Sequence, residues 1–178
     1  IMQMDAGLDT GDMLLVEKLA IAPNDTTASL HDKLAAMGGR LIVDALGLAA
    51  SGSLQPTVQP EAGVTYAAKI EKHEAQINWQ DDAQLLARKS RAFDPFPGCV
   101  SSLELGAKAE NIKIWRLEAL PDDSQQPAGT LVALDAQGIV VSCGAAGQGR
   151  VCITQLQKAG GKRLNAQEFL AGTPLQIG

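Results

Sequence analysis

The first patterned stretch of the chain is apolar without alternation. Met13, Leu14, Leu15 and Val16 follow a Gly/Asp-rich loop, so residues 13–21 read as a buried strand of an α/β sheet. Pro23, Asn24 and Asp25 break that run, and Thr26 or Thr27 can cap a helix after it. Its apolar positions Leu30, Leu34, Met37, Leu41, Ala45 and Leu48 recur every three or four residues, which predicts one buried face. Gly38 and Gly39 predict a kink or a division into two helices, and Ser51 and Gly52 predict the end.

Residues 53–63 hold two prolines and no periodicity, as in an extended linker. Asp81 or Asp82 then offers an N-cap to a short helix carrying Ala83, Leu86 and Ala87, which Pro95 and Pro97 prevent from continuing. Strand-like pieces follow at 99–105, 111–119, 129–134, 139–142 and 150–156, separated by turn residues at the spacing of a small barrel. Asn165 with Glu168 forms a capping box for a last helix gripped by Phe169 and Leu170. The fold expected is an α/β piece over 1–52, a linker over 53–64, and an OB-like, mostly antiparallel β-barrel over 65–178.

Composition narrows the class of molecule. With 178 residues, 46% apolar and 20% charged, the chain can build a core and is no disordered tail. Its apolar runs fall far short of the roughly 20 residues that span a bilayer, so no membrane partner is expected. It opens Ile1-Met2-Gln3 without an initiator or signal pattern, which reads as the tail of a longer protein. Cys99, Cys143 and Cys152 lack disulfide or zinc spacing; no metal and a reducing, cytoplasmic setting are expected. Residues 1–62 hold three Lys and Arg against eight Asp and Glu, whereas 63–178 hold twelve of each. Two histidines and 3% aromatic residues leave few candidates for a metal cluster or a base-stacking platform.

Two segments can carry chemistry. In Gly7-Leu8-Asp9-Thr10-Gly11-Asp12 a carboxylate sits between glycines, where a loop can fix it against a substrate to accept or relay a proton; the same residues are also ordinary turn formers. Asp9-Thr10-Gly11 spells the aspartic-protease triplet, but that chemistry needs a second carboxylate in a β fold, and no second copy exists. Lys158, Lys162 and Arg163 flank a glycine loop that could hold phosphates, or be a solvated turn. Lys69, Lys72, Arg88, Lys89 and Arg91 add charge nearby in sequence. Gly144, Gly147 and Gly149 read as a hairpin turn, Trp79 and Trp115 as core anchors, and His31 and His73 as surface residues.

Residues 2–13 (MQMDAGLDTGDM), 66–70 (YAAKI), 74–79 (EAQINW), 91–98 (RAFDPFPG), Leu156-Gln157, Gly161-Lys162 and 166–172 (AQEFLAG) together resemble the methionyl-tRNA formyltransferase family, in order and nearly end to end. His73 stands where that family usually has Glu, and Asn78 where it usually has Asp. Relatives with a similar loop and barrel are the hydrolase domain of formyltetrahydrofolate dehydrogenase and a formyltransferase acting on an amino-arabinose nucleotide sugar.

The resemblance implies transfer of a formyl group from 10-formyltetrahydrofolate to methionyl initiator tRNA in translation initiation. Residues 1–52 would then be the end of a Rossmann-like catalytic domain lacking about 130 preceding residues of ordinary domain size, and 65–178 a tRNA-binding domain. It implies that Asp9 is the catalytic carboxylate, its Asn and His partners outside this chain, and that Asp5, Ala6, Gly7 and Leu8 line the folate pocket. Lys69, Lys158, Lys162 and Arg163 would meet tRNA. A monomeric parent enzyme is implied, with this piece inactive alone; the alternatives are another folate-dependent formyltransferase or formyltetrahydrofolate hydrolase relative, or a bare tRNA-binding module.

Overall fold

The computed structural model describes residues 1–105, 108–121, 124–135 and 137–177. Gly178, the end of the expected second domain, lies outside them. The chain forms two compact units, Ile1–Lys69 and Ile70–Gly178.

The first unit is dominated by α1, Thr27–Ala50. Thr26 caps it reciprocally with Ser29, and Ser51 and Gly52 (φ 67°) close it. The helix continues unbroken through Gly38 and Gly39, against the expected division into two helices. Each glycine costs about 1 kcal/mol of helix propensity relative to alanine, but nothing packs within 4 Å of a Cβ at either, so no neighbour forces a bend. The expected buried face is also incomplete. Only Ala45 is buried; Met37, Leu41 and Leu48 are half-buried, and Leu34, Ile42, Val43 and Leu46 are exposed.

Nor do residues 13–21 form the expected strand. Only Met13 pairs, with Met2 on one side and Thr57 on the other, while Leu14 and Leu15 donate to the Ile1 carbonyl. A strand persists only where a neighbour runs beside it, and beyond these single bridges this unit supplies none; Val16 and Ile21 stay exposed.

The expected linker is partly docked rather than free. Thr57 exchanges two 2.8 Å backbone hydrogen bonds with Met13, and Gln59 is half-buried. Residues 61–70 are all exposed.

The second unit is an antiparallel sheet with two helices. In chain order it has a 3-10 turn at Lys72–Ala75, α2 (Ala83–Ala92), β1 (Cys99–Leu105), β2 (Lys108–Leu120), β3 (Leu131–Leu134), β4 (Ile139–Cys143), β5 (Gly149–Lys158), β6 (Leu164–Asn165) and α3 (Ala166–Gly172). The sheet runs β1-β2-β5-β4-β3, with β6 beside β5. The long β2 pairs with β1 on one edge through Lys108 to Ile114 and with β5 on the other through Ile112 to Leu120, so the two neighbours overlap only at Ile112 to Ile114. A register shift at Trp115 interrupts the β2–β5 ladder. There the Ser90 hydroxyl on α2 accepts the Leu117 N–H at 3.1 Å.

Ile112, Ile114, Leu117, Ile139, Val141, Ile153 and Leu156 turn inward onto Leu86 of α2 and Phe169 of α3. Leu86 is fully buried, a position where truncation to alanine costs about 2–5 kcal/mol. Asp82 caps α2 and Asn165 with Glu168 caps α3, as their spacing predicts.

Closure differs from the expected barrel. Among the described residues no ladder joins β1 to β3, the two ends of the sheet. Trp79 stands at this seam: its indole donates to Ser101 Oγ on β1 at 3.1 Å, and its carbonyl accepts Gly144 N–H at 2.9 Å. A Cβ on Gly129 would lie 3.2 Å from the Trp79 ring, so the ring and that backbone are in close contact. A side chain thus fills a gap that backbone pairing leaves open, over an apolar cavity of about 60 Å³.

Candidate functional site

Asp5 organises the first loop. Its Oδ1 accepts the Gly7 N–H at 2.9 Å and the Thr10 hydroxyl at 2.6 Å, closing a tight turn around residues 6–9. Within that turn Asp9 adopts φ 56°, a left-handed conformation that costs a non-glycine residue about 1–2 kcal/mol. The loop's exit is packed equally closely, since a Cβ on Gly11 would fall 1.6 Å from the Gln3 carbonyl oxygen and only glycine fits. Gln3 N–H in turn donates to the Asp12 carbonyl at 2.8 Å.

The side-chain amide of Gln59 reaches into this loop and donates to the Asp9 carbonyl at 2.8 Å and the Gly11 carbonyl at 2.7 Å. Asp9 and its neighbours Asp5, Ala6, Gly7 and Leu8 are solvent-exposed, Leu8 at 74%. A carboxylate on a braced, exposed loop can orient a water or an incoming basic group and pass a proton. Nothing in the single sequence marks Gln59: like Gln55 it is a glutamine before a proline in a loop segment without periodicity.

The expected basic residues meet different fates. Lys158 ends β5, with its Nζ 5.4 Å above the Phe169 ring. Lys162 is exposed in the loop after it, and Lys69 is exposed at the end of the first unit. Arg163 is engaged: its guanidinium makes a fork onto Asp94 at 2.8 and 3.1 Å and lies 3.9 Å from the Trp115 ring centre. Trp115 donates to Gln157 Oε1 at 2.8 Å, and the Gln157 amide donates to the Gly161 carbonyl at 2.7 Å. Lys113 lies 5.1 Å from the same ring and donates to the Pro97 carbonyl at 3.1 Å. Trp115 thus joins the segment at 94–98 to the loop at 160–163. Of the further cations, Lys89 donates to the Gln76 carbonyl and Arg91 to the Ala87 carbonyl.

Burial pushes the Cys99, Cys143 and Cys152 thiols up to about 11, which makes them poor nucleophiles. No group of three or more potential metal-ligating His, Cys, Asp or Glu residues occurs among the described residues. No helix among them is long and apolar enough to cross a membrane.

The family model described as "Formyl transferase, C-terminal domain" matches residues 69–174, and the model described as "Formyl transferase" matches residues 1–46. The methionyl-tRNA formyltransferase of Acidovorax ebreus is 56% identical over 180 residues, covering 100% of this chain and 54% of that protein. That of Burkholderia mallei is 55% identical over 179 residues, covering 100% and 53%. The chain therefore spans about half the length of the curated relatives it matches. Among solved structures, HypX from Aquifex aeolicus in complex with tetrahydrofolic acid aligns with TM-score 0.66 at 21% identity, over 95% of this chain and 29% of that one. A HypX variant, A392F-I419F, aligns with TM-score 0.64 at 23% identity, over 97% and 30%. At these identities the likeness is one of fold.

Proposed function

The chain belongs to the formyl transferase family, and from that premise we propose that it is the carboxy-terminal half of an enzyme that formylates methionyl initiator tRNA from 10-formyltetrahydrofolate. The observation that carries this reading is the 55–56% identity to methionyl-tRNA formyltransferases along the entire chain. In the reaction the methionyl amine attacks the formyl carbon, the carbon's bond to N10 of the folate breaks, and the proton lost by the amine is matched by one gained at N10. Asp9 serves this exchange by orienting a water or imidazole that carries the proton. Its partners, an Asn and a His that stabilise the oxyanion by the family resemblance, lie outside this chain.

The exposed backbone from Asp5 to Leu8, with the Leu8 side chain beside it, suits the edge and face of a pterin ring. The tetrahydrofolic acid bound to HypX, as that structure is described, supports a folate as the donor. Residues 1–52 form the end of the catalytic domain, 53–64 the connection, and 65–178 an OB-like domain that holds tRNA in the cytoplasm as part of a monomeric enzyme. Lys69, Lys158 and Lys162 offer charge to the phosphate backbone, while Arg163 shapes the loop that carries Lys162.

The test is formyl transfer to methionyl initiator tRNA by the full-length enzyme and by the 178-residue chain. Activity only in the former is expected. A full-length enzyme that formylates another amine, or only hydrolyses the donor, overturns the reading.

A further inference from the structure

We propose that Gln59 is a positioning residue for Asp9 in formyl transfer, an inference that rests on the function proposed above. Both donor hydrogens of its side-chain amide are used on one loop, at the Asp9 carbonyl (2.8 Å) and the Gly11 carbonyl (2.7 Å). Those two carbonyls flank Thr10 and converge on a single nitrogen.

The physical consequence lies in a torsion angle. The Asp9 carbonyl is joined directly to the Cα that carries the carboxylate, so holding that carbonyl fixes rotation about the Cα–C bond. Asp9 also sits at φ 56°, where an L-residue rests only if its surroundings hold it there. The Asp5 turn secures the entry to this conformation and the Gln59 fork secures its exit.

Gln59 can act as a brace because it is itself anchored. Two residues earlier, Thr57 exchanges a pair of backbone hydrogen bonds with Met13, and Met13 pairs with Met2 on its other side. Gly11 meets the Gln3 carbonyl so closely that the loop cannot shift toward it. The fork thus ties the loop of the reacting carboxylate to the stretch of chain that leads, eleven residues on, into the second unit at Ile70.

The experiment uses the full-length enzyme with Gln59→Ala, with Gln59→Met, which keeps length without donors, and each combined with Asp9→Asn. Turnover, KM for methionyl-tRNA and the thermal midpoint are measured together. Both single variants are expected to lower kcat by about tenfold or more with KM changed less than about threefold, and neither to slow the Asp9→Asn enzyme further. If Gln59→Ala fails to fold, Gln59→Met decides. Wild-type kcat in Gln59→Met, a loss confined to KM, or losses that multiply fully with Asp9→Asn overturns the proposal while leaving the function intact. A full-length enzyme that does not formylate methionyl-tRNA, or an Asp9→Asn variant at normal turnover, overturns the reading beneath it and this inference together.

Discussion

Arg163 grips Asp94 through two guanidinium nitrogens, at 2.8 and 3.1 Å, while the Cζ of the same group lies 3.9 Å from the Trp115 ring centre. A cation held by both a carboxylate and an aromatic ring acts as an internal strut rather than a free charge. It separates two residues that stand side by side in sequence, Lys162 and Arg163.

That separation is measurable. Arg163→Ala is expected to lower stability by about 1–2 kcal/mol, a modest figure because the pair is partly exposed. It should leave the salt dependence of tRNA binding unchanged. Lys162→Ala should instead change stability by less than about 0.5 kcal/mol and reduce the slope of log affinity against log salt by about 0.7–0.9. Denaturant unfolding and salt-titrated tRNA binding on both variants check this.

Asp9→Asn in the full-length enzyme is expected to reduce turnover by about a hundredfold or more, with tRNA affinity little changed, because the amide keeps the shape and loses the proton acceptor. Single-turnover formylation beside a binding titration distinguishes this from a folding defect.

Gly98 has φ 76°, and a Cβ there would lie 2.8 Å from two atoms of the Trp115 ring. Gly98→Ala combines left-handed strain with overpacking, for an expected destabilisation of about 2–4 kcal/mol. Unfolding followed by tryptophan fluorescence reads it out.

Asp25 titrates in the acid range. The Lys33 ammonium, the Ala22 N–H and the Ser29 hydroxyl lower its pKa from 3.8 to about 2. Because the folded value is the lower one, its contribution to stability is present above about pH 4 and is lost as pH falls through about 2. Carboxyl NMR should show this midpoint, and Lys33→Met should raise it.

Limited proteolysis should find residues 61–70 first, since all are exposed while Thr57 and Gln59 are bonded to the first unit. A Glu-specific protease is expected to cut at Glu61 and trypsin at Lys69, leaving a stable fragment that begins near Ile70. Earliest cleavage before Thr57 would show that the docked segment opens readily.

The sequence by itself determined what residues close in the chain decide among themselves. Thr26 with Ser29, Asp82 with Leu85, and Asn165 with Glu168 are caps between residues three apart, so spacing alone locates the helix starts. The turn chemistry of the Asp9 loop and the short strands between glycine and proline breaks are legible for the same reason. Only the tertiary structure decided which of these segments found partners. Residues 13–21 have the composition of a strand, yet pairing requires a neighbour, and only Met13 has one. Gly38 and Gly39 look like a break, but an interior run of helix hydrogen bonds outweighs two weak propensities. Trp79 at the open seam, Arg163 on Asp94 across 69 positions and Gln59 on Asp9 across 50 leave no periodic trace, because each joins residues whose proximity exists only after the chain has folded.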